Sequence, residues 1–277
     1  MDTYEHAAAA LRETDPDRFI ADLFVPVGPR RHLHALHAFD AEIRRIRHLV
    51  SEPALGEIRL QWWRDAIAND AGAGNPLAEA LLATIRDVRL PRPTFDNLLA
   101  ARIFDFYNDP MPSMADFEGY AGETDAAVFQ LSALALSGGE DPGSADASGH
   151  AGVASALTTA LRHFSLDAGR QQLFLPRDRF EVAGVHLDDV FARRTAPELL
   201  MALTDLRETA RDHLARARAA IAGLPAAVVP AYLPLALVER QLKQLEKDAA
   251  SPFDATRPIA QWRRQLTLWR AARRGRP

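Results

Sequence analysis

No cysteine occurs in the 277 residues, so disulfides, thiolate-bound metals and cysteine nucleophiles are excluded. Lysine is nearly absent: Lys243 and Lys247 are the only two among 33 basic residues. In so alanine-rich a chain this bias reads as the imprint of a GC-rich genome, so arginine abundance is not by itself a functional signal. No run of about 20 apolar residues, the length needed to span a bilayer, is present. The nearest, Gly223 to Val238, is uncharged but broken by Pro225, Pro230 and Pro234, and reads as a buried, kinked core helix. A net charge of −4 gives no electrostatic footprint for nucleic acid. Glycine-rich phosphate loops and nucleophile elbows are missing. The start, Met1-Asp-Thr-Tyr-Glu-His6, has neither the apolar core of a signal peptide nor the arginine-rich, acid-poor character of a transit peptide, so a cytoplasmic bacterial location is expected.

What is present is helical periodicity almost throughout. A short helix is expected after Asp15-Pro-Asp17, a turn at Pro26-Val-Gly-Pro29, and a long helix from Arg30 to about Val50 with Leu33, Leu36, Phe39, Ile43 and Ile46 on its apolar stripe. Further helices are expected near 55–68, 77–88, 94–107, 113–136, 149–166, 187–191, 197–221, 225–248 and 258–274. There is no period-2 strand series, no solenoid repeat and no linker, and loops are short. One all-α domain over 1–277 is the expectation.

Several motifs fall in a telling order. His37-Ala-Phe-Asp-Ala-Glu-Ile-Arg-Arg-Ile-Arg-His48 opens the series, preceded by Phe24-Val-Pro26 and Arg30. Gln61-Trp-Trp-Arg64 and Gly119-Tyr-Ala-Gly-Glu-Thr-Asp125 follow. Then comes Arg162-His-Phe-Ser-Leu-Asp-Ala-Gly-Arg-Gln-Gln-Leu-Phe-Leu-Pro-Arg-Asp178. In this frame the chain resembles the squalene/phytoene synthases. The likeness implies a single isoprenoid-synthase-like helical bundle around a central apolar pocket. Ala38-Phe39-x-x-Glu42-Ile43 and Gly56-Glu-Ile-Arg-Leu-Gln-Trp-Trp-Arg-Asp65 are most similar to a divergent branch that includes assembly factors of respiratory complex I.

The departures from the family pattern concern its acids. Where the family carries aspartates on the early helix, this chain has Arg44, Arg45 and His48. At the second acid-rich motif, His163 and Leu166 replace acids and Asp167 remains. The paired serines of an early Ser-x-Ser-Phe element give way to Pro16-Asp-Arg-Phe19. Ionising an allylic diphosphate releases a highly charged leaving group, which carboxylate-held Mg²⁺ normally neutralises. Arginines repel that ion. No metal or other cofactor is therefore expected, with Asp40 and Asp167 as the weak metal candidates and Mg²⁺ as the cofactor of the catalytic alternative.

The resemblance implies a prenyl diphosphate or prenyl lipid as ligand, held by candidates Arg30, Asp40, Arg44, Arg45, His48, Arg162, His163, Asp167, Arg170 and Asp178. Arg44 and Arg45 are expected to face the cavity mouth, and guanidinium groups suit direct phosphate contact. The bland alternative pairs them with Asp40, Glu42, Asp167 and Asp178. His32, His34 and His37 read as partly exposed, Trp62 and Trp63 as core, and Asp105 with Asp109 as either an acidic cluster or helix-end caps. Trp262, Leu266 and Trp269 form an i, i+4, i+7 stripe amid arginines, expected to pack on the core, with membrane or partner docking as the other use. Three functions follow. The first is a non-catalytic prenyl-binding protein that assists respiratory complex I, with one of its subunits as partner and contact at the periphery of the inner membrane. The second is an active head-to-head prenyltransferase with an altered acid set. The third is a ligand-free helical interaction protein, which requires a collapsed pocket.

Overall fold

The structure, a computed structural model, describes residues 2–277 and contains fourteen α-helices and no strand among them. The first half comprises α1 Thr3–Thr14, α2 Pro16–Asp22, α3 Val27–Leu49, α4 Pro53–Ala68, α5 Pro76–Asp87, α6 Arg92–Ala101 and α7 Met114–Ala121. The second comprises α8 Ala127–Leu136, α9 Ala145–Gly169, α10 Arg177–Val182, α11 Leu187–Phe191, α12 Pro197–Ile221, α13 Leu235–Lys247 and α14 Gln261–Arg274. Many begin at proline, whose missing N–H costs nothing in a first turn.

Local chemistry explains where expectation and structure part. Helix α1 was not foreseen, yet Asp2 and Glu5 form a reciprocal capping box: Glu5 N donates to Asp2 Oδ1 at 2.7 Å and Asp2 N to Glu5 Oε2 at 3.0 Å. The turn expected at 26–29 is instead the first turn of α3, with Pro26 as its N-cap. The helix expected over 94–107 tightens to a 3₁₀ turn at Arg102–Phe106, and that over 113–136 is interrupted by a π turn at Gly122–Ala126. The proline-rich stretch keeps its kinked character: a 3₁₀ turn at Val229–Tyr232 precedes α13. Arg177–Val182, outside every expected helix, is a short helix.

Two apolar cores flank the centre. One gathers α9 and α12 around Leu157, Leu161, Leu206 and Tyr232. The other gathers α1, α3 and α5 around Leu11, Leu36, Phe39 and Leu81. Helix α8 serves both, giving Phe129 and Ala133 to the first and Val128, Leu131 and Ala135 to the second. Helix α3 is enclosed on most sides, so His32, His34 and His37 are buried, not partly exposed. A small third cluster seats α14 on α2 and α13 through Ala21, Leu237, Leu268 and Ala271. The Trp262 and Trp269 stripe faces outward, 60% and 45% exposed, because Leu268 and Ala271 on the opposite side of α14 make the core contact.

Candidate ligand-binding cavity

Between α3, α9 and α13 lies a cavity of about 520 Å³, within the size range of small-molecule sites. Phe117, Phe129, Ala156, Leu237 and Val238 give it apolar walls. It is open, so the collapsed pocket required by a ligand-free reading is not found.

Its polar end is an array of aspartates matched with arginines. Asp40, 1% exposed, accepts from Arg18 Nη1 at 2.5 Å, pairs with Arg44 at 3.1 Å and faces Arg102 at 3.7 Å. Burial opposes its charge, but Arg44, Arg18 and Arg102 outweigh that and hold its carboxyl well below the usual range. Arg44 also reaches Asp15 at 3.3 Å. Arg102, brought inward by the 3₁₀ turn, pairs with Asp125 at 3.4 Å and Asp105 at 3.5 Å and donates to Tyr120 Oη at 2.6 Å. Tyr120 Oη in turn donates to Asp105 Oδ1 at 2.6 Å, and burial raises the pKa of this hydroxyl well above its ordinary value. Arg47 bonds Asp167 at 3.0 Å and lies over the Phe174 ring, 4.2 Å from its centroid. Burial raises the Asp167 pKa against the opposing pull of Arg47.

Two cations on the wall are less engaged. Arg45 is paired only with Glu42 at 3.9 Å, and Arg162 has no ion pair within 4.0 Å among the described residues. Beside Arg162, His163 lines the cavity with its side exposed to cavity water and with cations around it. Burial, then Arg162, Arg47, His48 and Arg44, bring its pKa down to about 4, so it is neutral near pH 7. The arrangement therefore offers unspent guanidinium donors beside an apolar chamber. It does not offer a carboxylate cluster: among the described residues no three His, Asp or Glu side chains are placed to share a metal ion. Mg²⁺ does not fit these residues, because the buried acids at the cavity, Asp40, Asp105, Asp125 and Asp167, already have guanidinium partners.

Of the candidates read from sequence, Arg44, Arg45, His48, Arg162, His163 and Asp167 line this cavity, and Asp40 anchors it from beneath. Three stand elsewhere. Arg30 is spent on the carbonyls of Val25 and Leu23, closing the α2–α3 corner. Asp178 accepts the Met114 N–H at 3.1 Å, fastening α10 to α7. Arg170 lines a neighbouring polar cavity of about 470 Å³, which shares Arg47 and Asp105 as its wall with the first. Sequence reasoning missed Arg18, Arg102, Tyr120 and Asp125. Tyr120 and Asp125 lie within Gly119–Asp125 and Arg18 within Pro16–Phe19, so their positions are visible in the sequence but their partners are not.

A serine, histidine and aspartate also meet in the core: His37 Nδ1 lies 2.9 Å from Asp22 Oδ2, and His37 Nε2 lies 3.0 Å from Ser132 Oγ. All three are buried and the Ser132 hydroxyl donates to Val128 O, so no substrate reaches them. They tie α2, α3 and α8 together.

The model of the family described as "Squalene/phytoene synthase" matches residues 11–270. The rat protein named NADH dehydrogenase (ubiquinone) complex I, assembly factor 6, is 27% identical over 268 residues, covering 96% of this chain and 79% of its own length. A dehydrosqualene synthase solved in complex with ligand superposes with a TM-score of 0.83 at 16% identity, covering 98% of this chain and 95% of that one. Squalene synthase HpnC from Alicyclobacillus acidocaldarius gives a TM-score of 0.78 at 21% identity, covering 91% and 95%. The solved structures share the isoprenoid-synthase helical fold with this chain.

Proposed function

Because the chain belongs to the squalene/phytoene synthase family, we propose that it uses the family's cavity to hold a prenyl lipid or prenyl diphosphate without converting it, in the service of respiratory complex I assembly. The observation that carries this is the pairing of Asp40 with Arg18 and Arg44, of Asp105 and Asp125 with Arg102, and of Asp167 with Arg47. The guanidinium partners already neutralise these carboxylates, so they attract Mg²⁺ weakly, and the neighbouring arginines repel the ion. Arg45 and Arg162 remain to meet a diphosphate directly, with the isoprenoid tail against Phe117, Phe129 and Leu237. The assembly role rests on the names of relatives such as the rat protein, matched over nearly the whole chain. No helix among the described residues is long and apolar enough to cross a membrane, which suits a protein working at the periphery of one.

The deciding experiment is calorimetric titration of the purified protein with farnesyl and geranylgeranyl diphosphate, with and without Mg²⁺, followed by product analysis. Binding indifferent to Mg²⁺, with no squalene, phytoene or presqualene-type product, is expected. Magnesium-dependent turnover on the order of 1 per second would favour the prenyltransferase reading and end this one. Crosslinking in the native host is expected to capture a respiratory complex I subunit.

A further inference from the structure

Residues 257–277 contain seven arginines and no carboxylate side chain. With all 37 acids and 26 of the 33 basic residues, positions 1–256 carry a net charge of −11. The cationic end is thus a separate electrostatic object on an acidic body. Within α14, Trp262, Trp269 and Arg273 stand at i, i+7 and i+11, on one side of the helix. Leu268 and Ala271 occupy the opposite side and are buried against α2 and α13. Both tryptophans therefore face solvent, and each has a guanidinium over its ring: Arg263 on Trp262 and Arg273 on Trp269, both 5.1 Å from the centroid. Among the described residues, Arg263, Arg270, Arg273, Arg274 and Arg276 have no carboxylate within 4.0 Å. A face kept for solubility has no use for two exposed indoles, and a face kept for the core would turn them inward.

We infer that the outer face of α14 docks on an anionic phospholipid bilayer. Tryptophan is suited to the headgroup level, where its ring is apolar and its N–H is wet, and the surrounding arginines match lipid phosphates in charge and geometry. The helix is firmly held while it does so. Arg264 bonds Asp17 at 2.6 Å, and the chain end is tied to α12 by Arg218 Nε donating to Pro277 O at 2.9 Å. Asp17 is also a wall residue of the main cavity, and so are Leu237 and Val238 of α13, on which α14 packs. Docking through α14 therefore sets the cavity beside the lipid surface from which a prenyl chain would come. This extends the membrane side of the function proposed above and does not depend on what the cavity holds.

The test is co-sedimentation of the full chain with vesicles of phosphatidylcholine alone, or with about 30 mol% phosphatidylglycerol. Binding to the anionic vesicles only, lost in about 0.5 M NaCl, is expected. Two variants are compared: Trp262→Ala with Trp269→Ala, and Arg270→Gln with Arg273→Gln, Arg274→Gln and Arg276→Gln. The first should lower partition at least about tenfold and the second about a hundredfold. The altered side chains are exposed, so melting temperatures should stay unchanged and farnesyl diphosphate binding intact. Equal binding to neutral and anionic vesicles, no binding to either, or wild-type partition in both variants would overturn the inference. Vesicle binding without prenyl-diphosphate binding would uphold it while removing the ligand reading of the cavity.

Discussion

Asp40 holds three arginines in a place where water cannot. Replacing it with Ala leaves Arg18 and Arg102 buried with too little counter-charge, and a broken buried pair typically costs about 3–5 kcal/mol. Urea denaturation of Asp40→Ala should show a loss of that size, with Asp40→Asn little better. The sign of the pH effect follows from the depressed carboxyl: the stability Asp40 contributes is present above its ordinary value of 3.8 and is lost as pH falls towards its folded value. His163 acts higher on the scale. Its pKa falls from 6.5 to about 4 on folding, so between those values the unfolded chain binds a proton that the folded chain does not. Stability should therefore fall as pH drops from 6.5 to 4, and His163→Gln should flatten that slope by on the order of 1 kcal/mol, allowing for its access to cavity water. Sequence gave access to half of this chemistry. Arginines in place of acids at 44 and 45 are visible by position alone, and the 40–44 pairing follows from one helical turn. Arg18 and Arg102, which approach Asp40 from α2 and the 3₁₀ turn, are brought there by tertiary packing and have no local signature.

Helix α9 and the π turn at Gly122–Ala126 approach so closely that a Cβ at Gly152 would lie 2.4 Å from the backbone nitrogen of Ala126. Backbone cannot swing aside as a side-chain tip can. Gly152→Ala should destabilise by about 1–3 kcal/mol or more, measured by thermal or urea unfolding. It should also weaken prenyl-ligand binding, because the same turn carries Asp125 to Arg102. At this scale the long periodic helices and proline-led starts were legible. The π turn was not, since the extra residue inserted into the ladder follows from packing against α9, not from any break in apolar spacing. Helix α1 carries its signal in the Asp2 and Glu5 capping box. The outward Trp262 and Trp269 show the weakness of a stripe argument: the i, i+7 spacing proves that they share a side, but small residues opposite decided which side packs.

For the molecule as a whole, the acid-to-arginine exchange predicts indifference to divalent ions. Millimolar Mg²⁺ should leave the melting temperature of the wild type unchanged, since a ligand stabilises only what it binds. A variant carrying Arg44→Asp, His48→Asp, His163→Asp and Leu166→Glu should be less stable without metal, because Arg44 is the partner of Asp40 and Asp15. It should nevertheless gain a Mg²⁺-dependent rise in melting temperature. An equal response in both proteins would mean that these positions do not face one another. One wall then sets a clock. Arg47 lines both cavities, donating from its edge to Asp167 and lying with one face over the Phe174 ring. A guest chain long enough to extend from the first cavity into the second would have to displace that guanidinium from both contacts. If the cavity holds a prenyl chain as proposed, Arg47→Ala should shorten the residence time of a long fluorescent prenyl probe in stopped-flow displacement more than that of a short one.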